Sequence, residues 1–179
     1  MTTARHQFGC HPRGFTLIEM LITLAVGSIL LALAVPAFRT FMQNDQLMTG
    51  ASTLSMALYA ARAEAIKEDT SVQICASANG TSCSGANTWE TGWIVLSTAA
   101  GATPVQVAGA QPTGTTVRAG AVNTITFSST GLSNTAAAFK LCDVRGATQA
   151  RYLQLNVTGN VVASLTPGFD LNNNPLACP

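Results

Sequence analysis

Side chains able to do chemistry are sparse in this 179-residue chain, and their positions limit what they can do. Both histidines, His6 and His11, precede a long apolar run that starts at Phe15. If the segment before Phe15 is removed, no histidine remains to serve as acid, base or metal ligand. Four of the five cysteines, Cys75, Cys83, Cys142 and Cys178, follow the run, and none forms a CxxC pair. An even number of widely spaced cysteines fits two disulfides in an oxidising compartment better than a zinc site. Glu64, Glu68 and Asp69 crowd a helix end, where solvation is the default for carboxylates. The stretch `DLNNN` at Asp170–Asn174 begins like a calcium loop. Pro175 stands where such a loop needs glycine, so the stretch is read as a turn. Trp89 and Trp93 flank a turn and a strand start and are assigned to packing. No acid–base set, cofactor or metal is expected, and the chain is not read as an enzyme.

Charge points the same way. Lys, Arg, Asp and Glu make up 9% of the chain, far below the usual quarter. From Phe15 onward seven basic residues face eight acidic ones, leaving no general field for nucleic acid. Lys140, Arg145 and Arg151 are the remaining candidates for a weak DNA contact, at most three phosphates.

The element that must position everything else is the apolar run. Phe15–Val35 holds 21 residues with one charge, Glu19. As a helix it is about 32 Å long, enough to cross a bilayer. Arg5 and Arg13 before it place the leader in the cytoplasm and the body outside. A secretory signal has its small-residue cleavage site after the apolar run. Here the small residue, Gly14, lies before it, so a cut there leaves the helix on the mature chain. A carboxylate in hydrocarbon costs ~2.5 kcal/mol or more, which makes Glu19 a functional candidate needing a counter-charge.

The stretch `RGFTLIEMLITLAV` resembles the class III signal of type IV pilins and type II secretion pseudopilins. The resemblance implies that a prepilin peptidase removes residues 1–14, cutting between Gly14 and Phe15, and that the new Phe15 amine is methylated. It also implies that Glu19 registers against the Phe15 amine of a neighbouring subunit. Unpaired, either charge would be buried alone, which makes the contact sensitive to register. Pro36 matches the family's helix-kinking proline, past which the helix continues.

Beyond Pro36, Leu47, Ala51, Leu54, Leu58, Ala61 and Ala65 recur at steps of three and four, one apolar stripe. One helix is expected from about Phe15 to Glu68, its outer half lying on a sheet. After Thr70 the segments `SVQICAS`, `GWIVLST`, `TPVQVAG`, `TTVRAG`, `NTITFSS`, `AFKLCDV` and `RYLQLNV` read as antiparallel strands. Residues 97–120 look like loops with weak edge strands. Four cysteines allow three pairings. The strand layout favours Cys75–Cys83 across a hairpin and Cys142–Cys178 pinning the tail.

`YAARAEAIK`, `GWIV`, `ITFSSTG`, `LCDVRG` and `RYLQLNVTGNV` resemble, in that order, the GspH/FimT branch of pilin-like proteins, over Gly14 to about Val162. Some FimT-type members that take up DNA carry G-R-x-R in a C-terminal strand or loop. The matching Gly159–Val162 here keeps the glycine and lacks both arginines.

The expected fold is α+β: a long N-terminal helix, membrane-spanning in its first half, packed on a C-terminal antiparallel sheet domain, the pilin lollipop. The expected organisation is a leader at 1–14, a membrane or filament-core helix at 15–43, and a periplasmic body at 44–179. The resemblance implies a minor type IV pilin of the FimU/FimT kind, acting in pilus initiation and the tip complex. Its alternatives are a type II secretion minor pseudopilin and a DNA-binding minor pilin. Expected partners are other minor pilins, the major pilin, the prepilin peptidase and inner-membrane lipid before assembly; DNA is not expected among them. The expected location is the inner membrane, single-pass, and then the pilus or pseudopilus.

Overall fold

The structure is a computed structural model that describes residues 14–99, 101 and 103–179. Most of the expected leader, including Arg5, His6, Cys10, His11 and Arg13, lies outside the described residues. Helix α1 runs from Leu17 to Lys67 without interruption at Pro36. The chain divides into two compact units, Met1–Phe41 and Met42–Pro179.

In the first unit α1 is apolar and uncovered: Leu17, Ile18, Leu24, Leu30 and Leu33 are all exposed. It is long and apolar enough to cross a membrane. Its hydroxyls turn back onto the helix, Thr23 Oγ1 donating to Met20 O and Ser28 Oγ to Ala25 O. Neither of those two hydroxyls then demands water, which suits a helix in hydrocarbon.

In the second unit the helical stripe is buried, as the period predicts. Leu47, Leu54, Leu58, Ala61 and Ala65 are all at most 1% exposed. Gly50 and Ala57 join them. A Cβ at Gly50 would sit 2.6 Å from Gln111 Oε1 and 3.4 Å from Leu141 Cδ2, so the small residue permits close approach.

The strands are β1 (Val72–Ala76), β2 (Trp93–Ser97), β3 (Pro104–Ala108), β4 (Thr116–Arg118), β5 (Thr124–Phe127), β6 (Ala137–Cys142), β7 (Arg151–Leu155) and β8 (Val161–Ala163). They form two four-stranded antiparallel sheets, ordered β3-β2-β1-β5 and β4-β6-β7-β8. The weak strands β3 and β4 are edges, as their composition predicts. The division into two sheets has a local cause. The turn after β5 folds back on that strand: Thr126 N–H donates to Asn134 Oδ1, Asn134 N–H to Thr126 O, and Ser128 N–H to Leu132 O. Occupied by its own turn, the outer edge of β5 cannot take β6.

Between helix and sheets lies one core, with Trp89, Trp93, Phe127 and Phe139 its largest members. Trp89 meets Phe139 edge-on at 5.1 Å and donates its indole N–H to Val122 O at 3.1 Å. Such a pair contributes ~0.5–1.5 kcal/mol beyond its area. Both tryptophans are packing residues here, with no exposed surface to offer a ligand.

Candidate functional site

The N-terminal end of α1 carries the predicted processing and registration residues. An added Cβ at Gly14 meets nothing within 4 Å, and Phe15 is 76% exposed. Thr16 caps the helix: its Oγ1 accepts from Glu19 N–H at 3.3 Å. Thr16 and Glu19 stand at the spacing of a capping box, so the acid also favours the positive end of the helix. Glu19 is exposed, with no ion-pair partner among the described residues. Further along, Thr40 Oγ1 donates to Pro36 O at 3.2 Å.

The cysteines form Cys75–Cys83 and Cys142–Cys178, with Cα separations of 5.5 and 6.0 Å. The first closes the loop at the end of β1. The second ties the tail to the end of β6, where Leu176 packs with Cys142, Ala150 and Tyr152.

The `DLNNN` stretch is a turn centred on its aspartate. Asp170 Oδ1 accepts from the N–H groups of Asn172 and Asn174, each at 2.8 Å, and Oδ2 accepts from Asn174 Nδ2 at 3.0 Å. The Asn174 bonds foremost hold the carboxyl below its ordinary range, with Lys140 adding a small attraction. Both carboxylate oxygens are thus engaged by the loop itself. Among the described residues no group of three metal-ligating side chains converges. Glu64 and Glu68 flank Lys67 at 3.1 and 3.0 Å. Hydrogen bonds donated to those two acids, Glu68 first, raise the ammonium pKa.

The three basic candidates are not brought together. Lys140 alternates with Phe139 and Leu141, whose side chains fill the core, so it stands on the opposite face of its sheet. Arg151 shares the core-side face of β7 with Leu153 and Leu155. Arg145 is spent locally, on Asp143 Oδ2 at 2.6 Å and Asn44 Oδ1 at 2.8 Å.

Sequence reasoning did not reach the ties between α1 and β8. Tyr59 OH donates to Val161 O at 2.9 Å and accepts from Val161 N–H at 3.3 Å. Arg62 Nη1 donates to Gly159 O at 3.2 Å. Nor did it reach the Glu90–Arg118 pair, in which Glu90 also accepts from Val117 N–H. These partners lie 27 to 102 positions apart, and nothing local signals them. Beside β8 they leave an open groove of about 490 Å³ between α1 and the sheet.

Comparison with known proteins adds the family. No curated protein matches the chain. Two crystal forms of the type IV minor pilin FimU of Pseudomonas aeruginosa share the fold. The first has 22% identity over 69% of this chain and 92% of that one, with a TM-score of 0.57. The second has 21% identity over 66% and 92%, with a TM-score of 0.53. Residues 11–35 match the prokaryotic N-terminal methylation motif, and residues 50–160 match the family described as type II transport protein GspH. With an apolar N-terminal helix, a pilin fold and a family match over most of its length, the chain belongs to the GspH family of pilin-like proteins.

Proposed function

We propose that this protein is a minor type IV pilin that takes part in initiating the pilus and in its tip complex. The observation that carries the reading is a methylation motif over residues 11–35 joined in one chain to a GspH body over 50–160. A chain so built is processed at its N-terminus and built into a filament; it does not turn over a substrate. On this reading residues 1–14 are removed between Gly14 and Phe15, and the Phe15 amine is methylated. Residues 15–43 anchor the subunit in the inner membrane with the body, 44–179, in the periplasm. Glu19 then pairs with the amine of a neighbouring subunit, and Pro36 lets the helix bend as subunits pack. Exposed apolar side chains along residues 17–41 support this, because they need lipid or other helices to cover them. Other minor pilins, the major pilin and the prepilin peptidase are the partners.

A second reading, a minor pseudopilin of type II secretion, is favoured by the description of the matching family. The `CDVRG` stretch and the arginine that follows it, Arg151, which look most like the FimU/FimT side, favour the pilus. Deletion of the gene separates them. Loss of surface pili with normal protein export supports the pilus reading; intact pili with blocked export refutes it in favour of secretion.

A further inference from the structure

The groove beside β8 has the features of a strand-accepting site. Strand β8 bonds to β7 through alternate residues: Ser164 N–H donates to Tyr152 O, and Asn156 N–H donates to Asn160 O. In an antiparallel ladder the residues between, Val161 and Ala163, turn their backbone groups to the other edge. At Val161 that edge is closed, because the Tyr59 hydroxyl serves both its N–H and its C=O. At Ala163 it is open, and no hydrogen bond to its backbone occurs on that side among the described residues. Leu165, two positions on, is 95% exposed.

The far wall of the groove is α1, through Met48, Ser52 and Met56. Both methionines are 58% exposed, and flexible thioethers on a bed of small residues suit a surface that repacks around a partner. At its floor lies Arg151. Its Nε is buried without a hydrogen-bond partner, and its guanidinium makes no ion pair among the described residues. A buried N–H of a cation left unmatched is costly unless a partner supplies the acceptor.

We propose that this groove binds an extended, apolar polypeptide segment of another protein, which adds to the edge of β8 at Ala163 and presents a carboxylate to Arg151. The open edge gives main-chain hydrogen bonds, the apolar wall takes alternate side chains, and the guanidinium selects for acid. A volume of about 490 Å³ accommodates a segment of a few residues. The recognition needs only residues of the body, so it stands apart from which machine uses the subunit.

The test uses the full chain in lipid nanodiscs and a random peptide library displayed on phage. Enriched peptides are expected to alternate apolar residues around one Asp or Glu. Their affinity should fall at least ~10-fold on Arg151→Gln, the loss of one charge-assisted hydrogen bond. Ala163→Pro removes the outward N–H without touching the β7 ladder, and should abolish binding while both disulfides and the thermal transition persist. Arg151→Glu should switch the selected peptides from acidic to basic. No enrichment over empty nanodiscs, enrichment of peptides lacking an acid, or binding indifferent to both Arg151→Gln and Ala163→Pro overturns the proposal. So does a groove that takes oleate or single-stranded DNA, through Arg151, in place of peptide.

Discussion

Cutting the Cys142–Cys178 bond should cost more stability than cutting Cys75–Cys83, by an amount that follows from the two loops. The first closes 36 residues and the second 8. Loop-closure entropy assigns them ~3.8 and ~2.5 kcal/mol at 25 °C. Unfolding entropy for a body of about 140 residues is roughly 0.29 kcal/mol per kelvin, so the midpoints should fall by about 13 and 8 °C. Suitable variants are Cys178→Ala and Cys83→Ala. They leave Cys142 and Cys75, which are 2% and 0% exposed, in place as small buried apolar groups. Near-ultraviolet dichroism of the full chain in detergent reads the midpoint. Limited proteolysis, with fragments assigned by mass, reads the tail. In Cys178→Ala the tail keeps the Leu176 N–H to Gly168 O bond and the burial of Leu176. It should therefore open locally before the sheets do, with cuts confined to residues after Ser164. A midpoint loss no larger than that of Cys83→Ala, or a tail as protected as in the parent, would refute the loop-closure reasoning.

Four further outcomes are expected. Mass spectrometry of the mature protein should find N-methylated Phe15 as its first residue, and Gly14→Leu should leave the leader attached; an intact leader in assembled filaments refutes the processing scheme. Glu19→Val should insert into membranes at least as well as the parent, since it deletes an intramembrane charge, while incorporation into filaments falls; equal incorporation removes the registration role. Gly92→Ala should destabilise the body by several kcal/mol in denaturant titration, because its φ is 114° and a Cβ would lie 2.5 Å from Ala108 O. The Asp170 turn should be sensitive to acid. Its depressed carboxyl pKa means that the stabilisation is complete above the ordinary aspartate pKa and is lost as pH falls through the lowered value. Amide protection at Asn172 and Asn174, relative to the intrinsic exchange rate at each pH, should fall over that window in the parent and stay level in Asp170→Ala.

The helix was legible from its period, and strands β1 to β7 from short β-branched runs bounded by Gly, Asn, Ser and Pro. Leu47 to Ala65 repeats at three and four, and segments such as `AFKLC` alternate. Strand β8 was missed because Val161–Ala163 is only three residues long and follows an Asn-Val-Thr-Gly-Asn turn, too short a run to show alternation. The expectation of one sheet and the finding of two differ for a reason outside any strand: Asn134 and Ser128 seal β5 from the turn that follows it. Glu19 was legible as a lone charge in an apolar run. The groove was not, since it depends on which side of β8 Tyr59 closes and on an Arg151 left without a partner, both products of packing between distant segments.

The second disulfide also sets where tension would travel in this subunit. A pull applied to the chain beyond Cys178 crosses that bond to Cys142 instead of running back through the residues between them. The intervening 36 steps, a contour of roughly 125 Å if drawn straight, are held out of the load path by a bond spanning 6.0 Å between Cα atoms. The force arrives instead at the end of β6, an interior strand flanked by β4 and β7. To extend the tail, such a pull must break a covalent bond or strip a strand from both neighbours at once.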